Sequence, residues 1–134
     1  MFRHKITYMD FNGQERKEDF YFHLSVPELT RLEAEIGKPL EEYIKELAND
    51  REVSKLLAFL EKVILNAYGR KSADGRTFVK NKEIRDEFEY SQAYAELFEE
   101  MLTNPELARK FGESISDNGK ARKNQPSPKV VPEA

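Results

Sequence analysis

Near the middle of the chain, Gly69-Arg70-Lys71-Ser72 has the residue types that grip a phosphate. Two residues on, Asp74-Gly75 is a pair found in metal loops and in tight turns. A phosphate loop needs a glycine at each end of a four-residue run, then Lys and a hydroxyl, placed after a buried strand so that backbone amides surround the anion. The first glycine is missing here, and the segment follows an apolar pattern of helical period. A calcium loop needs oxygen ligands at alternate positions and a glutamate at the twelfth. Only Ser72 and Asp74 precede Gly75, and no glutamate falls convincingly at that place. The stretch therefore reads as a connection. Gly69 terminates a long helix, Asp74-Gly75 makes a turn, and "RTFVK" crosses in extended form, with Arg70, Lys71 and Arg76 solvated.

Other catalytic constellations are thin. The two histidines, His4 and His23, fall on opposite faces of the strands that carry them, so a shared metal site is not expected, and His4 reads as packed or hydrogen-bonded. Carboxylate pairs such as Glu41/Glu42 and Glu99/Glu100 sit on helix exteriors, where nothing separates their pKa values into an acid and a base. Ser25, Ser72 and Ser91 each have a cap or turn role, and a serine nucleophile would also need a base and an oxyanion site. Cysteine is absent, which removes disulfides and thiolate metal sites. The expectation is a protein that is not an enzyme, with no cofactor and no metal.

Composition narrows the classes further. The chain of 134 residues is a one-domain length, with 35% charged and 39% apolar residues and a net charge of −3. A uniformly basic nucleic-acid binder is disfavoured. No apolar run approaches the roughly 20 residues of a membrane span, and the start does not read as a signal peptide. A soluble, intracellular protein with neither nucleic acid nor membrane as partner is expected. Residues 116–134, "SDNGKARKNQPSPKVVPEA", hold four cations, two carboxylates and three of the six prolines. That net +2 leaves −5 on residues 1–115. The tail has too little apolar surface to offset its ordering entropy and reads as disordered, leaving 1–115 as a single folded domain.

The folded part reads as α+β, an N-terminal β-hairpin followed by a mainly α-helical body of five to six helices. "RHKITYM" and "RKEDFYFHL" flank "DFNGQ". A two-residue Asn12-Gly13 turn would put Ile6 and Tyr8 on the same face as Asp19 and Lys17. A three-residue Phe11-Asn12-Gly13 loop, with Gly13 left-handed, instead gathers Phe2, His4, Ile6, Tyr8, Phe20, Phe22 and Leu24 on one face and sets Lys5 opposite Asp19. Since a slip of one residue flips every side chain, the second register is preferred. "SVPE" at 25–28 is a capping box, with Gly37 as the C-cap of that helix. Pro39 opens the next helix, with Leu40, Tyr43, Ile44 and Leu47 on one stripe, and Asn49 or Asp50 caps the third. In that third helix Val53, Leu56, Leu57, Leu60, Val63, Ile64 and Ala67 recur at helical spacing, and Phe59, Leu65 and Tyr68 widen the stripe. Asn81 caps a short helix over 82–88, and Ser91 starts another. "TNPE" at 103–106 reads as a second capping box, leading into Leu107, Phe111 and Ile115.

A resemblance joins these pieces. Gly69, Lys71, Ser72, Asp74, Gly75, Arg76, Phe78 and Lys80, then Ser91, Ala93, Tyr94, Leu97 and Phe98, form a pattern that resembles tail assembly chaperones of long-tailed, siphovirus-type bacteriophages and prophages. The opening "ITYMDFNGQERKEDFYFHLSVPEL" is also similar, so the likeness spans most of 4–115. It implies a non-enzymatic protein that binds the tape measure protein, keeps it from aggregating, helps recruit tail tube protein and departs before the virion is complete. It also implies a host-cytoplasmic location, absence from the mature virion, self-association and a longer form made by ribosomal frameshifting. The competing expectation is a structural tail or neck component that stays in the virion.

Amphipathic helices in such a protein can present an apolar groove to a partner helix. The candidate partner-binding residues are Tyr94, Leu97, Phe98 and Met101, at i, i+3, i+4 and i+7, with Phe59, Leu65 and Tyr68 off the main stripe of their own helix. The alternative is that all seven are core. The tail supplies the first prediction: deleting residues 117–134 leaves the thermal unfolding midpoint unchanged, and a loss of several degrees would show that the tail docks on the body.

Overall fold

The computed structural model describes residues 1–50 and 53–124, with side chains through Ile115. Two eight-residue strands, β1 (Phe2–Met9) and β2 (Glu15–Phe22), pair antiparallel with Phe2 opposite Phe22 and Lys5 opposite Asp19. This is the register of the three-residue loop. Gly13 takes φ 81°, a value that costs an L side chain about 1–2 kcal/mol. The Asp10 carboxylate accepts from the amides of Asn12 and Gln14, both at 2.9 Å, and from Arg16 at 2.7 Å. Arg16 and these amides hold the Asp10 carboxyl below its ordinary pKa. The chosen register buries Ile6, Phe22 and Leu24 and half-buries Phe2, His4, Tyr8 and Phe20.

Six helices follow among the described residues: α1 (Val26–Ile36), α2 (Leu40–Asn49), α3 (Val53–Ala67), α4 (Lys82–Glu89), α5 (Gln92–Thr103) and α6 (Pro105–Asn124). The capping box at the start of α1 forms as expected, with Ser25 Oγ accepting from the Glu28 amide and Glu28 accepting from the Ser25 amide. Gly37 closes α1 in the left-handed conformation. Asn81 and Ser91 cap α4 and α5 through their side chains. Pro39 is the N-cap of α2 and has no side-chain acceptor for the cap, so Glu33 of α1 accepts from the Leu40 amide instead, at 2.8 Å. Asn49 ends α2 and Asp50 is its C-cap; the step into α3 includes residues 51–52, which lie outside the described residues.

Three sequence expectations are corrected. Gly69 does not terminate α3. The helix ends at Ala67, and Gly69 lies inside a further strand, β3 (Tyr68–Lys71), which pairs with the end of β2 and with β4 (Phe78–Val79). The sheet thus has four strands in the order β1-β2-β3-β4. Glycine is needed at 69 because an added Cβ would stand 2.6 Å from the Phe78 ring and 2.9 Å from the Val79 carbonyl oxygen. The second capping box also does not form. Thr103 is the last residue of α5, and Asn104 turns the chain into α6, its side chain accepting from the amides of Glu106 and Leu107. Finally, Val53 lies on the predicted apolar stripe of α3 yet is 60% exposed, whereas Phe59, placed off it, is buried edge-on against Tyr43 of α2 at 4.8 Å. Helix α3 is covered over a wider arc than one stripe because α2 packs along its flank.

Helices α4, α5 and α6 pack against the sheet, and α1, α2 and α3 pack on the helices. Phe111 of α6 meets Phe2 at 5.2 Å and Phe22 at 5.8 Å, both edge to face, and α5 lies along β1. The α6 backbone is helical through Asn124, and the rest of the expected disordered tail, 125–134, lies outside the described residues.

The middle stretch is the turn of the β3-β4 hairpin. Ser72 Oγ donates to Asp74 Oδ1 at 2.7 Å and accepts from the Thr77 amide, while the Arg76 amide donates to Asp74. The Asp74 carboxylate is thereby used in holding the turn, and Gly75 sits at φ 76° with open space around it. The two glycines should fail differently on substitution. Gly69→Ala forces side chain and backbone apart and is expected to cost about 1–3 kcal/mol. Gly75→Val strains only its own backbone and should cost about 1 kcal/mol or more. Urea unfolding of each variant measures both, and Lys71→Ala serves as a neutral control.

Candidate functional site

The seven residues expected to bind a partner do not form one surface. Leu97, Met101 and Phe59 are 0%, 2% and 8% exposed and belong to the core. Tyr68, Tyr94 and Phe98 are half-buried members of a continuous aromatic row. The row starts at Tyr8, runs through Phe20 to Tyr68 and Phe88, and continues through Tyr94 to Phe98. Its tightest contact is the stack of Tyr68 on Phe88, 4.3 Å between ring centres at 17°. Leu65 is also half-buried, facing a cleft described below. Aromatic pairs contribute roughly 0.5–1.5 kcal/mol each beyond the area they bury. This row therefore serves the packing of strands against helices.

Two surface depressions stand out among the described residues. The first is an apolar groove of about 260 Å³ between α2, α3 and the α5–α6 corner. Its floor is made by Ile44, Leu56, Leu60 and Met101, and Leu102, 43% exposed, stands at its edge. Three small residues, Ala48, Ala108 and Gly112, keep it open, and Glu41, Lys45 and Arg109 provide charge at the rim. Arg109 is held by Glu106 and Glu113 on its own helix. Of the expected residues only Met101 reaches this groove. The signal that could have located it was the small residues on α2 and α6, where an apolar side chain would have filled the space.

The second depression, about 390 Å³, lies between α1, the end of α3 and the β4–α4 junction. Lys80 bonds Glu28 at 2.8 Å, and Lys62 bonds Glu35 at 3.0 Å. Burial opposes ionisation of Glu28, but Lys80 and the Ser25 amide outweigh it and hold the carboxyl below its usual pKa. His23 packs edge-on against Phe78, and burial, aided by the N-terminal charge and Lys80, lowers its pKa. His4 lies apart from it, stacked on Phe2 and 3.1 Å from a Glu100 carboxylate oxygen. No group of three or more residues able to ligate a metal lies together among the described residues. Nor is any described helix long and apolar enough to cross a membrane.

The tyrosines give a pH test. Tyr8 donates to Glu18 at 2.5 Å, and burial together with that carboxylate raises its pKa from 10.0 to about 12. Burial and the nearby Glu61 raise Tyr94 as well. Between pH 10 and 12 the folded chain therefore holds protons that the unfolded chain has lost. Stability should be intact below about pH 10 and decline as pH climbs through 12. Tyr8→Phe should flatten that decline in unfolding measured across the range, and a steep decline unchanged in the variant would contradict the assignment.

A family model described as "Phage tail assembly chaperone" matches residues 1–117. No curated protein and no solved structure matches the chain.

Proposed function

The chain belongs to the phage tail assembly chaperones, and from that membership we propose that it binds the tape measure protein of an assembling tail. On this reading it keeps the tape measure's apolar helical surface soluble, helps recruit tail tube protein, acts in the host cytoplasm and leaves before the virion is complete. The family is one of assembly chaperones, and the activity proposed is binding without catalysis.

The apolar groove between α2, α3 and the α5–α6 corner carries the reading. No described segment of the chain covers it, and its floor is continuous with the core. Ala48, Ala108 and Gly112 let a partner backbone approach closely, as a helix laid in a groove requires. The apolar area on offer is small. Covering Leu102 contributes on the order of 1 kcal/mol, which suits a chaperone that must later let go. Self-association and a longer frameshifted form are further parts of the proposal that the same groove or the C-terminal segment could serve.

Co-expression with the tape measure protein tests the reading. Leu102→Glu and Ala48→Glu place a charge on exposed positions of the groove, so thermal melting should be unchanged while co-purification of the tape measure protein falls by about 10-fold or more. Failure of the unaltered chain to solubilise the tape measure protein would overturn the proposal, as would its presence as a fixed component of purified virions.

A further inference from the structure

The second cleft has no part in that reading. Its walls carry five cations and two carboxylates, and both carboxylates are already bonded, Glu28 to Lys80 and Glu35 to Lys62. Lys82 bonds Asp86, within its own helix. Arg31 of α1 and Arg85 of α4 are left with no ion pair among the described residues, and both face the cleft. Between them the floor is apolar, with Leu32 buried and Leu65 and Tyr68 half-buried. Residues 1–115 carry a net −5, so an excess of positive charge gathered at one concave site runs against the rest of the surface. Two unmatched guanidiniums above an apolar floor are complementary to a ligand with carboxylates and apolar side chains together, since Arg binds carboxylates through paired N–H donors.

We propose that the cleft between α1, α3 and α4 docks an acidic amphipathic segment of a partner protein, its carboxylates on Arg31 and Arg85 and its apolar side chains over Leu65 and Tyr68. A protein segment fits better than a nucleic acid for two reasons. The Tyr68 ring is already stacked on Phe88, which removes a face that a base would need. A longer polyanion would also meet the net −5 that residues 1–115 carry as a whole. The site is separate from the apolar groove and does not depend on the tape measure assignment.

Fluorescence anisotropy with labelled helical peptides tests it. One peptide has Leu and Glu at heptad spacing, and the other has Gln in place of every Glu. The Glu peptide should bind the full chain about 10-fold more tightly than the Gln peptide, and its advantage should shrink as salt is raised. The advantage should vanish in the Arg31→Gln/Arg85→Gln double variant. Neither guanidinium bonds another described residue, so the variant should melt normally. If it does not, Arg31→Gln alone, on an exposed position, is the variant to read. Equal binding of the two peptides, or a preference that survives the substitutions, overturns the proposal. Tighter binding of an oligothymidine than of the Glu peptide overturns it in favour of nucleic acid. Dissociation of a self-assembled form by the substitutions, with no peptide binding, overturns it in favour of a second copy of this chain.

Discussion

Everything in this fold is arranged around Phe22, and Phe22 is placed by the register of one hairpin. Its ring meets Phe2, Tyr68, Phe88 and Phe111 at 5.7–6.1 Å between centres. Those four partners belong to β1, β3, α4 and α6. The residue is 0% exposed and pairs across the sheet with Phe2 on one side and Tyr68 on the other. A slip of one residue in the β1-β2 turn would turn Phe22 to the opposite face and separate all four elements at once. The Asp10 carboxylate and the left-handed Gly13 that set the turn therefore act on packing well away from the turn itself.

The same packing leaves the surface features unfinished. Small side chains on α2 and α6 let the two helices come close and leave a trough where their stripes diverge around Met101. On the other side of α3, the Glu28–Lys80 and Glu35–Lys62 bonds hold α1 to its neighbours while leaving two arginines over. In both places the core is complete and the rim is not.

The middle loop illustrates how chemistry-bearing residue types can be occupied by structure. Lys71, Ser72 and Asp74 have the composition of an ion-binding loop, but Ser72 and Asp74 bond each other and the turn amides. Lys71 lies over the Tyr21 ring at 5.7 Å. With the polar atoms of the loop satisfied internally, it serves as the hairpin that carries the sheet from β3 to β4.

The sequence by itself determined whatever depends on neighbours along the chain. Alternation and the "DFNGQ" turn specified the hairpin and its register. Ser25, Asn81 and Ser91 marked helix starts, because a cap is a bond between residues two or three apart. The family pattern was also legible, since it is written in local motifs. Tertiary structure decided what depends on residues far apart. Gly69 reads as a helix end until β2 and β4 stand on either side of its strand, and the close approach of Phe78 on β4 then explains the glycine. Asn104 takes the cap from Thr103 because α5, packed on β1, extends one residue further than the capping box allows. The apolar residues left at the surface were the least legible part. Period alone cannot tell a stripe that is covered by another element from one that is left open, and the packing of α2 on α3 and of β1 and α6 on α5 decides which part of each reaches the surface.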